Sequence, residues 1–261
     1  MRRTPLTEPS FDIPAELSPF LKDAALFDSS CSPEARVIYI EKYEGFYLKR
    51  AAKGTLKAEA EMTDFFYKKG LGAEVVDYIS GDHDFLLTAK VCGEDMTHKD
   101  YVSDPKRLCD TLASLLRELH ETEYTGCPIE NRCASYLKTV DENHKMGMFD
   151  PSYLMKNVSS LTSDEAYALT LQGRSAFKSD TLLHGDYCLP NIMLDDWRFS
   201  GFIDLGNGGV GDRHIDLYWG AWTLCFNLKT DMFRERFYDA YGRDRLDTDM
   251  IDLVSICEAF G

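Results

Sequence analysis

The chain has 261 residues, of which 44% are hydrophobic and 28% charged, enough to bury the core of one large domain or of two lobes. Its 44 acids against 29 bases leave a formal charge of −15, which argues against a nucleic-acid backbone as partner and suits a cationic one. No stretch is long and apolar enough to read as a membrane span, and the start Met1-Arg2-Arg3 lacks a signal peptide's apolar segment, so a cytoplasmic location is expected. The eight cysteines form no C-x-x-C pair and read as reduced, mostly buried, small apolar residues.

In chain order, residues 1–25 carry Pro5, Pro9 and Pro14 and read as irregular at first. Residues 37–40 and 46–49 are β-rich runs joined by a polar, Gly-containing turn at 41–45. Alternation places Tyr47 and Lys49 on one face of the second strand, opposite Phe46 and Leu48. A lysine in such a run ordinarily marks an exposed edge. Residues 57–69 read as a helix, with Met62, Phe65 and Phe66 as its apolar stripe and Gly70 as its stop. Residues 75–79 and 85–88 read as two further strands around a turn at 80–82. Leu108, Leu112, Leu115, Leu116 and Leu119 mark an amphipathic helix. Strands, one helix, strands and then mostly helices predict an α+β chain. Residues 1–88 would form a small β-rich lobe, 89–93 a hinge, and 94–261 a mostly helical lobe.

The most informative segment is His184-Gly185-Asp186-Tyr187-Cys188-Leu189-Pro190-Asn191, followed by Ile203-Asp204-Leu205-Gly206. Residues 192–194 and 199–203 flank the polar turn 195–198 and read as a hairpin. Asn191 enters its first strand and Asp204 leaves its second, so the two should meet at the open end, fed by the loop that carries Asp186. Hard oxygen ligands from an Asn and an Asp suit Mg²⁺ carrying a nucleotide's phosphates, and a separate Asp can orient and deprotonate an attacking hydroxyl. A lone His-Gly-Asp would read as a polar turn. The full spacing, with a hairpin of the right length, is far more specific, and it holds in order the parts of the kinase pattern H-R-D-x-x-x-x-N then D-F-G. Gly185 stands for the Arg and Leu205 for the Phe. The six histidines make no H-E-x-x-H or Cys/His metal spacing, and no G-x-S-x-G elbow is present. Asp212 and Asp216 are expected to cap the helix that follows and to brace the loop.

These blocks resemble the aminoglycoside phosphotransferases, and among them the 3'-phosphotransferase group of antibiotic-resistance kinases. The likeness runs from about residue 32 to the end and is strongest over 183–217. Leu119-His120 followed by Cys127-Pro128 is similar to a further passage of that group. The resemblance implies a bilobal protein-kinase-like fold, ATP with GTP left open, Mg²⁺, and transfer of the γ-phosphoryl group to the 3'-hydroxyl of a polycationic aminoglycoside. A kinase of another small alcohol shares the His-Gly-Asp block and stays open. A nucleotide-binding pseudokinase would have no use for the catalytic Asp. Oligomeric state is left open as well.

Residue by residue, the resemblance makes Asp186 the catalytic base and Asn191 and Asp204 the metal ligands. Tyr47 would stack on adenine, and Lys49 would pair the α- and β-phosphates. Glu59 would hold that lysine, with Glu61 as the alternative. Ser32, in the Ser-rich turn 29–33, would touch phosphate, and the main chain of Ala89 and Val91 would hydrogen-bond adenine. Glu258 and Phe260 resemble the group's acid-x-aromatic ending, here with one further Gly, and Asp150 is a second acid for the acceptor's ammonium groups. Cys225-Phe226-Asn227 stand where some members carry acids, and residues 155–157 are likewise short of them. Capture of a polycation should therefore be weaker and more salt-sensitive.

Overall fold

The computed structural model describes residues 3–31, 33 and 35–261. It divides into two compact units, Met1–Met96 with Pro190–Gly206, and Thr97–Leu189 with Asn207–Gly261.

The first unit is built on six antiparallel strands, in the spatial order Thr4–Leu6, Ala25–Asp28, Ala35–Glu41, Phe46–Ala52, His83–Ala89 and Val75–Ser80. Alternation sorts their side chains: Ile38, Ile40, Leu48, Phe85 and Leu87 bury on one face with Leu17, while Ala51 and Leu86 bury on the other with Leu56 and Ala60. The helix Lys57–Lys68 ends as expected at Gly70, whose φ of 71° lets Leu71 N reach back to Phe66 O at 2.9 Å. The described part of residues 1–25 is not irregular throughout. Thr4–Leu6 is a strand despite Pro5, because it lies at the sheet edge, where a missing N–H donor costs least.

A second sheet in the same unit pairs Glu94–Asp95 with Ile192–Asp195, and that strand with Arg198–Phe202. The hairpin turn is two residues long. Asp196 and Trp197 both take positive φ, 49° and 65°, the turn type whose twist matches antiparallel strands. Phe202 N donates to Leu71 O at 2.8 Å and Met96 N to Ile192 O at 3.1 Å, so the hairpin is backbone-bonded to the N-terminal segment. A division drawn in chain order at 89–93 has no place for this return of Pro190–Gly206.

The second unit is mostly helical. Its long helices are Pro105–Glu121, Arg132–Lys145, Ser163–Gly173, His214–Leu228 and Thr248–Glu258. Each of four begins at a side-chain cap: Asp104 accepts from Arg107 N, Asn131 from Ala134 N, Thr162 forms a capping box with Glu165, and Asp247 accepts from Asp249 N. The leucine stripe of Pro105–Glu121 is buried along its length. One core cluster gathers Val140, Leu154, Ala166, Ile256 and Phe260, and another gathers Leu183, Ile215, Tyr218 and Val254. The short strand Thr181–Leu183 pairs with Gly209–Gly211 and delivers the chain to His184. All eight cysteines are free, five of them buried. No helix among the described residues is long and apolar enough to cross a membrane.

Candidate active site

The first unit encloses a pocket of about 300 Å³. Val37, Ala73, Leu86, Val91, Met193 and Ile203 give it apolar walls, and Lys49, Glu59, Asn191 and Asp204 meet within it. Phe46–Ala52 is an interior strand, so Lys49 is not an edge residue. Alternation turns it away from Leu48 and the apolar cluster and into the pocket, beside Tyr47. Its ammonium donates to Glu59 Oε1 and Oε2 at 2.9 and 2.8 Å and to Asp204 Oδ1 at 2.8 Å. Burial draws its pKa down, but the carboxylates of Asp204 and Glu59 outweigh burial and hold it above the usual lysine value. Glu61 pairs with Lys57 instead, so the helix register selects Glu59. Ile203 N donates to Asn191 O at 3.0 Å, which closes the open end of the hairpin and brings Asn191 and Asp204 to one wall. Asp204 has a φ of 60°. That conformation is tolerated by Asp and tends to occur at functional positions.

Tyr47, Ala89 and Val91 also line the pocket. Ala89 N donates to Glu74 O and Lys90 N to Gly45 O, each at 2.9 Å. The Ala89 donor is therefore already used, and Val91 is the next position along. Arg3 donates to Tyr47 OH at 2.6 Å and lies 3.7 Å above the Tyr39 ring. No local pattern points to this contact, because it spans 44 residues. Ser32 lies outside the described residues. Its neighbours form a pinned turn, in which Ser30 N donates to Asp28 Oδ1 and Ser30 Oγ accepts from Val37 N, each at 2.9 Å.

The second unit holds the His-Gly-Asp loop. Asp216, fully buried on the helix His214–Leu228, accepts from His184 N at 2.8 Å and from Gly185 N at 2.7 Å. His120 stands behind it, with Nε2 3.3 Å from the same carboxylate and Nδ1 2.8 Å from Tyr241 OH. Burial keeps this imidazole below its ordinary pKa, against the pull of Asp216. The neutral ring therefore donates from Nε2 and accepts the tyrosine proton at Nδ1. Gly185 has a φ of 83°, and a Cβ there would fall 1.8 Å from Asn207 O, so no other residue fits. Asp186 N donates to His184 Nδ1 at 3.3 Å, Tyr187 OH to Leu112 O at 2.8 Å, and Leu189 N to Thr223 Oγ1 at 3.1 Å. Asp186 is thus placed by a backbone tied at both sides. Asp212 takes the capping role, accepting from His214 N at 3.0 Å and from Lys178 N at 2.9 Å.

Residues 32–251 match the phosphotransferase enzyme family. The chain belongs to that family. A relative from Lactococcus lactis, called a probable aminoglycoside 3'-phosphotransferase, is 52% identical over 249 residues, 95% of each chain. An aminoglycoside 3'-phosphotransferase of Niallia circulans is 31% identical over 171 residues, 66% of this chain and 65% of that one. The crystal structure of an aminoglycoside-3'-phosphotransferase of type VIII matches with a TM-score of 0.76 at 22% identity, over 91% of this chain and 94% of that one. The α+β architecture is therefore the kinase-like fold of these phosphotransferases.

In this phosphotransferase the three expected acceptor contacts fall in different settings. Asp150 is exposed and caps the turn Pro151–Tyr153, accepting from Ser152 N at 2.9 Å. Glu258 is buried, and its Oε1 accepts from Tyr136 OH at 2.9 Å and Trp219 Nε1 at 3.1 Å. Phe260 offers no face to a ligand. It is fully buried among Val140, Leu154 and Ile256, against Phe149, so its part is to anchor the last helix. Tyr136 and Trp219 were not singled out from sequence, since nothing local ties either to a glutamate 122 and 39 residues away.

Burial pushes the Glu258 carboxyl up to about 7; its two donors oppose this and the nearby Asp186 adds to it. The native state thus holds the Glu258 proton more tightly than the unfolded chain does, and that contribution to stability is lost as the pH rises through 7. Glu258→Gln, whose Oε1 can still accept both bonds, is expected to exceed the parent in stability at pH 8 by on the order of 2–3 kcal/mol. The advantage should shrink several-fold by pH 5. Urea unfolding of both proteins at the two pH values measures it.

Proposed function

We propose that this phosphotransferase transfers the γ-phosphoryl group of ATP to the 3'-hydroxyl of an aminoglycoside. The observation that carries the proposal is the Lys49–Glu59–Asp204 network inside an apolar-walled pocket. Apolar walls suit a purine, and a lysine kept fully charged suits its phosphates. Tyr47 offers the ring to stack on adenine, and Val91 the backbone donor. Lys49 takes the α- and β-phosphates, and Glu59 holds it in place.

Asn191 and Asp204 fit Mg²⁺. They are hard oxygen donors on one wall, Asp204 keeps a half-exposed carboxylate, and its Oδ1 already draws a cation, the Lys49 ammonium. When bound there, the metal would neutralise phosphate charge. Asp186 orients the acceptor hydroxyl and accepts its proton, while Asp216 and His184 fix the peptide that carries it. Phosphoryl transfer needs little more from the protein than position and charge.

The acceptor class is supported by the 52% identity to a probable aminoglycoside 3'-phosphotransferase over 95% of both chains, and by the net charge of −15, which suits a polycation.

Asp186→Asn keeps the shape and loses the base. It is expected to lower kcat by on the order of 10²–10⁴ while Mg–ATP still binds. Coupled assays with kanamycin measure this, and activity within a few-fold of the parent would remove Asp186 from the role. Asp204→Ala should abolish Mg²⁺-dependent ATP binding together with turnover, read by calorimetric titration with and without the metal. A 3'-deoxy aminoglycoside should not be phosphorylated, and the KM for kanamycin should rise with ionic strength. Equal turnover of the 3'-deoxy compound would overturn the regiochemistry.

A further inference from the structure

A row of aromatic side chains crosses the six-stranded sheet on the face that carries the pocket. Pro5 stands opposite Phe27, Phe27 opposite Tyr39, Tyr39 opposite Tyr47, and Tyr47 opposite Thr88. Directly opposed residues share a face, so the row runs from the edge strand Thr4–Leu6 to Tyr47 and Thr88, which line the pocket. Its rings pack in sequence, Phe27 and Tyr39 with centroids 6.0 Å apart, Tyr39 and Tyr47 5.1 Å apart. Gly45 seats the middle ring, since a Cβ there would fall 2.8 Å from the Tyr39 hydroxyl.

Arg3 closes this row from its outer end. It directly precedes the edge strand, two residues before Pro5, and so falls on the same face. Its guanidinium lies 3.7 Å above the Tyr39 ring but 5.7 Å from the centre of the Tyr47 ring, and it donates to the Tyr47 hydroxyl at 2.6 Å. Tyr39 is thus held by its face and Tyr47 by its rim. A ring gripped at its hydroxyl keeps its faces for a ligand, and Tyr47 is only half-buried. Among the described residues no other group bonds that hydroxyl.

Resting on the reading of Tyr47 as the platform for adenine, we infer that Arg3 is a positioning residue of the nucleotide site, which sets the tilt of the Tyr47 ring before the base arrives. A platform fixed in advance leaves less ordering for the ligand to bring about. Arg3 does not itself line the pocket, so its effect passes through the Tyr47 hydroxyl. It falls on the base, which Tyr47 serves, and not on the phosphates, which Lys49 takes. The N-terminal edge strand belongs to the nucleotide site through this one side chain.

The test is the KM for ATP, together with the inhibition constant of adenosine, which carries the base without phosphates, in the parent, Arg3→Ala, Tyr47→Phe and the double variant. Arg3 is exposed and Phe keeps the Tyr47 ring, so each variant should fold. Arg3→Ala and Tyr47→Phe should each raise both constants about 3–6-fold, an effect carried by nucleotide binding rather than by kcat or the acceptor KM. The double variant should be no worse than either single one, because both remove the same bond. An unchanged KM for ATP in Arg3→Ala would overturn the inference. So would a full further loss when Arg3→Ala is made in the Tyr47→Phe protein, or a loss for ATP with none for adenosine, since either would make Arg3 a charge acting on the phosphates. Tyr47→Leu separates the inference from the reading beneath it, because loss of the ring should raise the KM for ATP about tenfold. If it does and Arg3→Ala has no effect, only the arginine's role falls; if Tyr47→Leu changes nothing, the stacking reading falls and takes the inference with it.

Discussion

A fully buried carboxylate has to be given donors, and Asp216 takes two of them from successive peptide groups, His184 and Gly185. Charge-assisted bonds of this kind contribute about 1.5–3 kcal/mol each, and losing the acceptor would strand two N–H groups in the interior. The rest of the loop follows from that anchor. Bending two consecutive N–H groups toward one carboxylate forces the positive φ of Gly185, and the Asn207 carbonyl leaves no room for a side chain there. His120 fills the remaining side of Asp216 and is itself positioned by Tyr241. Asp186 thus owes the direction of its backbone to bonds made by its neighbours.

The first unit solves a related problem with opposite sign. Lys49 sits in a sheet interior, where an ammonium group is costly unless paired. Two carboxylates, one from a helix and one from the end of a hairpin, converge on it. The pairing makes the ammonium permanent at any physiological pH, and it holds Asp204 at the pocket wall next to Asn191.

Features encoded within a few residues were legible in the sequence. The hairpin of residues 192–203 could be read from two apolar runs and a four-residue polar break, but the register that sets Ile203 against Asn191 depends on a one-residue bulge between Phe199 and Gly201 that no local pattern announced. The strand alternation that aims Tyr47 and Lys49 into one pocket follows from a period of 2, whereas Glu59 before Glu61 was indicated only by the resemblance. What could not be read depends on partners distant in the chain. Pro5 disguised an edge strand. Phe260 looked like a ligand contact because it ends a recognisable block, yet its surroundings come from two other long helices, Arg132–Lys145 and Ser163–Gly173, and the segment at 149–154. The donors to Glu258 and the arginine over Tyr39 have no local signature at all.

The first unit is discontinuous: the chain leaves it at Met96 and re-enters at Pro190. During synthesis the six-stranded sheet is complete long before the strands that finish the pocket floor exist. At ordinary elongation rates the ribosome needs on the order of ten seconds to pass from the one to the other. Throughout that interval Glu94–Asp95 has no partner strand, Leu71 O and Met96 N lack their bonds, and Lys49 faces Glu59 without Asp204. A nascent chain in this state presents an open strand edge, the kind of surface on which chaperones and misassembly compete. Release of residue 206 closes it. The lysine, glutamate and aspartate of the pocket are therefore joined only after about four-fifths of the protein has been translated, and a fragment cut at the end of the N-terminal sheet would carry half of the charge network and none of the Asn–Asp pair.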